Sequence, residues 1–380
     1  MRTTAMVFVA CLTLAACTPA GAAVGPSPTP SKSPTTVPSP AQSDGTLQIL
    51  AYKGYAEYGG SGKVNWVSDF EKVTGCRVAK LDTVQTAEEM TKALAGRTYD
   101  VVSAGPDIAG DLMAAKQVQP IDTAKVSGYA DVPKRLRDLS VQGGKVYGVP
   151  YLWGSTEILY DASKVKGEAR QLYRSDRAAL RDSPMTIADI ALIAKKELGV
   201  TDPYSLTAGQ LDAVMRLLEG SGKGRTYWRT PIDLIKGFAT GSLDYAQSTP
   251  YYLRLLQKAG KPIKAAKTDQ TTGWVDSWML GANVPNIDCA YRWLDWMSTP
   301  ETQSKAAAWV GLAPANPKAC TGKPKLAGEA EEICDIYGVG KAKRLDRIIF
   351  AVRPPGDCRA PDRECTVYTT WSSRWRGLVK

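Results

Sequence analysis

Apolar and polar positions alternate in short stretches from Thr46 onward, and these stretches are separated by segments with helical spacing. The pattern predicts strands at 46–52, 77–81 and 99–102, which alternate with helices at 64–73 and from 86–89. Strands that alternate with helices indicate a parallel sheet with crossover helices. Ligands of such sheets bind at the carboxyl ends of the strands. Those ends here carry Tyr52, Tyr55 and Asp107.

The middle of the chain changes character. A long extended segment over 145–160, interrupted by Pro150 and Gly154, predicts a crossing from one lobe to another. The region that follows reads as mostly helical, and its better helices are predicted at 187–198 and 208–218. Further helices are predicted at 233–238, 249–259 and 288–297, with another from 299. The tail after Cys320 has little periodicity, so we expect irregular structure ending in a short helix at 371–378.

The stretch 273–277 places an aromatic residue two positions before a carboxylate within a predicted strand. Alternation puts Trp274 and Asp276 on the same face. An aromatic ring beside a carboxylate suits a small organic cation, because the ring face attracts the cation and the carboxylate accepts charge-assisted hydrogen bonds. The alternative is a tryptophan packed on the core beside a surface aspartate.

The first 44 residues contain an export signal and a spacer. Residues 1–16 combine Arg2 with an apolar run and small residues, which is typical of a secretory signal peptide. The segment Leu14 to Cys17 resembles a lipoprotein box, so Cys17 is the predicted lipidation site; the alternative is a plain signal peptide. Residues 18–44 are rich in proline, serine and threonine and predict an extended tether.

Amino-acid composition excludes several classes of function. The 380 residues include 44% hydrophobic and 23% charged residues and carry a formal charge of +10, but the basic residues are scattered and no nucleic-acid motif accompanies them. The absence of histidine excludes Ser-His-Asp catalysis and histidine-bearing zinc sites. With Cys11 and Cys17 in the leader, six cysteines remain as candidates for three disulfides: Cys76, Cys289, Cys320, Cys334, Cys358 and Cys365.

Two glycine-rich segments, 59–63 and 220–224, faintly match a phosphate-binding loop. Such a loop needs serine or threonine after its lysine, whereas Val64 and Gly224 follow here. No calcium-binding loop pattern is present either. The sequence therefore predicts neither a cofactor nor a metal site.

The order of several short stretches is similar to that of a known family. These stretches are 47–55, 70–78, 99–102, 148–154, 260–263, 273–277 and 313–317. Together they make residues 46–380 resemble the bacterial extracellular solute-binding proteins, in the family that includes the spermidine/putrescine-binding proteins of ABC importers.

The resemblance implies a two-lobed α/β fold of the type II periplasmic-binding class, with lobes joined by crossing hinge strands. Lobe I is expected to comprise 45–155 and 276–318, and lobe II 156–275 and 319–380, after a signal peptide (1–16) and a lipidated tether (17–44). Ligand closes the cleft between the lobes. The implied partners are an amine ligand, the ABC permease subunits and the membrane that holds the lipid anchor. The protein is expected to be a monomer on the outer face of the cell membrane. It is not expected to bind nucleic acid.

The resemblance also implies site residues. Tyr52 and Tyr55 match aromatic wall positions of the polyamine site, Trp274 matches a cleft tryptophan, and Asp276 matches the carboxylate that holds an amine. The remaining candidates are Asp107 at a cleft aromatic position, Asp189 at a second acidic position, Thr249 where polyamine binders carry a tryptophan, and the nearby Tyr251.

Two departures bear on the ligand. Lys53 replaces a small polar residue, which favours a ligand with an added anionic group such as an amino-phosphonate, and Leu312 replaces a cleft tyrosine. The alternatives to a polyamine are therefore an amino-phosphonate, ferric iron bound by tyrosines, and, from another class, a secreted carboxylate-based hydrolase.

Overall fold

The computed structural model describes residues 45–59, 64–321, 329–352 and 364–379. The predicted signal peptide, Cys17 and the tether lie outside the described residues. The strands are β1 Thr46–Tyr52, β2 Arg77–Val84, β3 Val101–Ala104, β4 Val118–Gln119, β5 Val141–Gln142, β6 Lys145–Val146, β7 Gly148–Ser155, β8 Glu157–Asp161, β9 Ala178–Arg181, β10 Thr226–Trp228, β11 Tyr245–Ser248, β12 Ile263–Ala265, β13 Thr271–Gly281, β14 Ala313–Pro314 and β15 Ile348–Phe350.

Helices connect these strands. They are α1 Val67–Thr74, α2 Ala87–Gly96, α3 Pro106–Ala114, α4 Lys134–Arg137, α5 Gln171–Arg174, α6 Thr186–Ile193, α7 Lys195–Leu198, α8 Ala208–Glu219, α9 Pro231–Ala239, α10 Pro250–Lys258, α11 Ile287–Ser298, α12 Pro300–Val310, α13 Glu329–Tyr337, α14 Ala342–Asp346 and α15 Tyr368–Leu378. Short 3-10 turns lie at Thr123–Lys125, Tyr129–Asp131, Asp138–Ser140 and Pro317–Cys320.

An eight-stranded mixed sheet forms the first layer, in the order β14-β7-β13-β3-β1-β2, with β4 and β15 also paired to β13. Strands β1, β2 and β3 are parallel, as the alternation of strands and helices predicted. Strand β13 runs antiparallel to both β3 and β7, so residues of β13 lie beside the end of β3. Helices α1 and α11 cover this sheet, and Phe70 packs against Trp293 in the core with ring centroids 5.0 Å apart.

A second sheet has five strands in the order β10-β9-β11-β8-β12. The prediction of a mostly helical region is therefore wrong for β9, β10 and β11. These strands are only three or four residues long. Strands β9 and β11 lie in the middle of the sheet, with both faces covered, so they lack the alternation that reveals a half-exposed strand. Strands β9, β10 and β11 are parallel and β11 is antiparallel to β8.

The chain crosses between the two sheets along adjacent strands. Strand β7 belongs to the first sheet and β8 to the second, while β12 and β13 return the chain. The two crossings touch, because Thr156 N–H donates to the carbonyl oxygen of Thr272 at 2.9 Å. The two-lobed fold is confirmed, whereas the residue limits of the lobes stay a prediction.

The tail is more regular than the sequence indicated. It contains α13, α14 and β15 before the expected terminal helix, which begins at Tyr368. Residues Ile333 and Tyr337 are buried with the first sheet, whereas Trp371 and Trp375 are buried with the second. The prediction of irregular structure is wrong there, because a few large buried side chains stabilise these elements without an obvious repeat.

Disulfides join Cys76 to Cys289 and Cys320 to Cys334. Cys365 is disulfide-bonded as well, and Cys358 lies outside the described residues. Within the part of the chain that the structure covers, no helix has both the length and the apolar character needed to cross a bilayer.

We expect the Cys76–Cys289 bond to stabilise the fold more than the Cys320–Cys334 bond. The first bond spans 213 residues and the second 14, and the entropy lost by the unfolded chain grows with loop length. Replacing Cys76 and Cys289 by serine should lower the free energy of unfolding by about 2–5 kcal/mol. Urea unfolding of this variant, with the Cys320→Ser/Cys334→Ser variant as the control, checks the prediction. Equal losses in the two variants would contradict it.

Candidate functional site

Asp276 is a carboxylate buried in the centre of the first sheet. It lies on β13 opposite Leu152 of β7, and the register of the two strands shifts between Asp276 and Ser277. Only 5% of the residue is exposed. The Tyr55 hydroxyl donates a hydrogen bond to its Oδ2. Burial raises the pKa of Asp276 to about 7, although the hydrogen bonds from Tyr55 and Trp274 act in the opposite direction.

The backbone holds Tyr55 in position for this bond. Gly54 has φ of +92°, which lets the chain turn after β1. The carbonyl oxygen of Tyr55 accepts hydrogen bonds from Trp66 Nε1 at 3.2 Å and from the Tyr151 hydroxyl at 3.0 Å. The Tyr55 ring is 5.7 Å from the Tyr52 ring, centroid to centroid, in an edge-to-face arrangement.

Asp107 and Tyr52 converge on the same point. Asp107 lies in the first turn of α3, which follows β3 through Gly105. A Cβ atom on Gly105 would lie 2.8 Å from Asp276 Oδ1, 2.9 Å from Asp107 Oδ1 and 3.5 Å from the Tyr52 hydroxyl. The two carboxylates and the phenol therefore surround one glycine, and a side chain there would displace the carboxylate oxygens. Burial and the two carboxylates hold the pKa of Tyr52 well above its usual range.

Trp274 and Asp276 lie two positions apart on β13, so alternation puts their side chains on the same face, and Trp274 lowers the pKa of the Asp276 carboxyl. Its indole ring lies over Gly154 of β7, where a Cβ atom would come within 2.4 Å of Trp274 Cζ2. The ring is half-buried. It therefore keeps an accessible face toward the second sheet.

Arg181 occupies that face of the indole. Its Cζ atom lies 5.3 Å from the centroid of the Trp274 ring, a cation–π distance. It is the last residue of β9, and its positive charge lowers the pKa of Asp276. Sequence reasoning missed Arg181 because it missed β9; a charged residue directly after Ala178-Ala179-Leu180 was the available signal. Lys53, the cation that the sequence singled out, has an exposed side chain.

The other predicted site residues lie on the second sheet or near it. Asp189 in α6 is buried and accepts hydrogen bonds from Gln247 Nε2 at 2.6 Å and from the Thr272 hydroxyl. Burial raises its pKa to about 6. Thr249 precedes α10 and is buried, and Tyr251 packs over Gly311 with Leu312 buried next to it.

Five of the predicted residues thus form one cluster: Tyr52, Tyr55, Asp107, Trp274 and Asp276. Asp189 belongs to a separate hydrogen-bond network, and Thr249 and Tyr251 to the start of α10. A role for each of them in ligand binding stays a prediction. Among the described residues, no group of three or more acidic or cysteine side chains is arranged to hold a metal ion.

The buried Asp276 should make stability depend on pH. Its folded-state pKa of about 7 exceeds its ordinary value of 3.8, so the folded protein keeps a proton that the unfolded chain loses, and stability falls as pH rises through this window. Asp276→Asn removes that loss. The free energy of unfolding of the variant, relative to the native protein, should therefore rise by about 2–3 kcal/mol between pH 5 and pH 8.

Urea unfolding at both pH values measures this difference. Glu88→Gln, which removes an exposed carboxylate, is the control and should show no such trend. A difference for Asp276→Asn that does not change with pH would contradict the assignment.

Comparisons with known proteins agree with this architecture. A putrescine/agmatine-binding protein of Pseudomonas aeruginosa is 27% identical over 273 residues, which cover 65% of this chain and 73% of the relative. The putrescine-binding periplasmic protein PotF of Escherichia coli is 23% identical over 321 residues, covering 77% and 80%. Among solved structures, a putative spermidine/putrescine ABC transporter protein from Listeria monocytogenes has the same fold, with a TM-score of 0.67 and 18% identity over 88% of this chain and 98% of that one.

A family model supplies the assignment. The model described as bacterial extracellular solute-binding protein matches residues 65–329, which contain most of both sheets. This is a class of transport proteins and not a class of enzymes. The chain belongs to the bacterial extracellular solute-binding protein family.

Proposed function

We propose that this protein captures a small organic amine in the cleft between its two sheets and delivers it to the permease of an ABC importer. The observation that carries the proposal is the buried Asp276 carboxylate, bonded to Tyr55 and placed beside the Trp274 ring. A buried carboxylate without a cationic partner is costly, and an ammonium group supplies that partner.

The surrounding groups suit an ammonium ion. Asp107 adds a second carboxylate close to Asp276, since both approach Gly105. The Tyr52 ring supplies a π face that attracts a cation. Aromatic walls also suit the methylene chain of an amine, which is apolar. Polyamines are the first amines to test, because the names of the two curated relatives include putrescine and, in one case, agmatine.

Capture and closure are coupled through the crossing strands. Trp274 and Asp276 lie on β13, which begins at Thr271 after the chain returns from the second sheet. The start of the same strand is tied to the second sheet's helix α6 through the Thr272–Asp189 bond. A ligand held on β13 therefore acts close to the hinge, and hinge closure is a common way for such proteins to present a loaded state.

We infer further that Cys17 is the lipidated residue and that residues 18–44 tether the folded part at the outer surface of the membrane. The support is the sequence pattern of residues 1–17 and the proline-rich composition that follows. In this arrangement the receptor stays close to its permease while its cleft remains open to solvent.

Titration calorimetry with putrescine, agmatine and spermidine tests amine capture. At least one should bind, and Asp276→Asn should weaken that binding by about 2–5 kcal/mol, because it removes the charge that pairs with a buried ammonium. The ammonium pairs with the ionised carboxylate. Affinity should therefore be about tenfold lower at pH 6 than at pH 8, given a pKa of about 7.

Glu88→Gln is the control and should bind normally. Absence of heat with all three amines would refute polyamine capture, and unchanged binding by Asp276→Asn would refute the proposed site.

Cys17→Ser tests the anchor. The full-length chain expressed in a Gram-positive host should fractionate with membranes, and the variant should not, because it has no thiol to acylate. Immunoblots of membrane and culture fractions measure the distribution. Cys11→Ser is the matched control and should stay with the membrane, and membrane retention of Cys17→Ser would exclude this anchor.

A further inference from the structure

The two walls of the cleft carry opposite charges. The wall formed by the first sheet presents Asp107 and Asp276, whereas the wall formed by the second sheet presents Arg181. We propose that the captured amine is a zwitterion, whose ammonium group binds Asp276 and whose carboxylate, or a similar oxyanion, binds Arg181 and the start of α10. This inference rests on the proposed function and names the substrate class of the same site.

Arg181 differs from two other arginines of its lobe, Arg177 and Arg229. Arg177 pairs with Asp244 at 3.0 Å, and Arg229 pairs with Asp182 at 2.7 Å. Arg181 forms no ion pair with any of the described residues, and its guanidinium only stacks on the Trp274 ring. Its side chain is also exposed toward the cleft side of β9. Stacking on the ring holds the guanidinium in place and leaves its N–H groups available. These N–H groups can then bind a planar oxyanion such as a carboxylate.

The start of α10 lies next to Arg181. Strands β9 and β11 are neighbours with Tyr245 opposite Ala178 and Ala246 opposite Ala179, so the two strands end side by side. Arg181 N–H donates to Gln247 Oε1 at 2.8 Å, which joins these two ends directly. Helix α10 begins at Pro250, two residues after β11 ends.

That helix end has the properties of an oxyanion site. The Thr249 side chain makes no capping hydrogen bond to α10. Ser248, which is 3% exposed, has a hydroxyl without a partner among the described residues. A helix N-terminus carries a partial positive charge and orients N–H groups outward, so it stabilises a bound anion. The Ser248 hydroxyl and the Arg181 guanidinium add two donor groups at the same edge of the sheet.

A diamine would find no equivalent partner on this wall. Two carboxylates lie near the crossing strands, and both already have partners: Asp189 accepts bonds from Gln247 and Thr272, and Glu157, opposite Ser248 on β8, pairs with Arg344 at 3.1 Å. The second ammonium of a diamine would instead meet the Arg181 charge beside Trp274. Like charges at such a distance repel, whereas opposite charges attract. The charge pattern thus favours an amino carboxylate over the diamine of the same length.

A zwitterion would also connect the two walls. Its ammonium end would be held by the first sheet and its anionic end by the second, so that closing the cleft brings each end to its partner. A ligand shifts a conformational equilibrium only when it binds one state better, and simultaneous contact with both walls exists only in the closed state.

Matched pairs of ligands test the inference. Putrescine and 4-aminobutyrate differ by replacement of an aminomethyl group with a carboxylate, as do cadaverine and 5-aminopentanoate. Calorimetry at pH 8 with the native protein should show tighter binding of the amino carboxylate in at least one pair. Arg181→Gln should weaken that binding by about 10- to 100-fold, because it removes a charge-assisted contact, and it should not weaken binding of the diamine.

Two further variants separate charge from structure. Arg181→Lys keeps the charge and should restore part of the amino carboxylate affinity. Arg216→Gln removes an exposed arginine of α8 in the same lobe and the same unit of charge, and should leave both affinities unchanged. Thermal melting of each variant verifies that it is folded.

The outcomes distinguish this inference from the proposed function. Tighter binding of the diamine in both pairs, or equal loss of both ligands in Arg181→Gln, would overturn the zwitterion while leaving amine capture intact. Absence of binding by all four ligands and by the polyamines would overturn both.

Discussion

The hydrogen bond between Tyr55 and Asp276 organises the cleft. A carboxylate in the middle of a sheet must be satisfied, and several features of the chain serve that requirement. Gly54 turns the chain after β1, and Trp66 and Tyr151 fix the Tyr55 backbone. Gly105 leaves the space in which Asp107 and Asp276 approach each other. The result is a cluster of two carboxylates beside aromatic rings, which would stabilise a bound cation.

The crossing strands connect the cluster around Asp276 to both sheets. Strand β13 receives the chain from the second sheet, carries Trp274 and Asp276, and then continues through the core of the first sheet. The Asp189 network ties its first residues to α6 and β11. Opposite charges on the two walls add a second link, because Arg181 already reaches across to the Trp274 ring. In the proposed function, recognition and closure therefore share the same few residues.

Much of this could be read from the sequence, and the omissions have physical causes. Alternation was enough to place Trp274 and Asp276 on one face, and the alternation of strands with helices was enough to place Tyr52 at a sheet edge. Arg181 was missed because Ala178-Ala179-Leu180 is too short and too uniformly apolar to be recognised as a strand. The Cys76–Cys289 pairing was out of reach, since cysteine spacing alone does not determine connectivity. Lys53 drew attention because it adjoins Tyr52 in sequence, yet the charge that acts on Asp276 comes from the other sheet.

In the proposed function, Asp276 is the carboxylate that pairs with the ammonium group of the ligand. Counting protons during binding at pH 7 tests it most directly, by calorimetry in two buffers with different ionisation enthalpies and with the tightest ligand of the amine panel. Because the pKa of the free carboxyl is about 7, binding should release about half a proton per ligand in the native protein and none in Asp276→Asn. No proton release by the native protein, or the same release by the variant, would contradict the account.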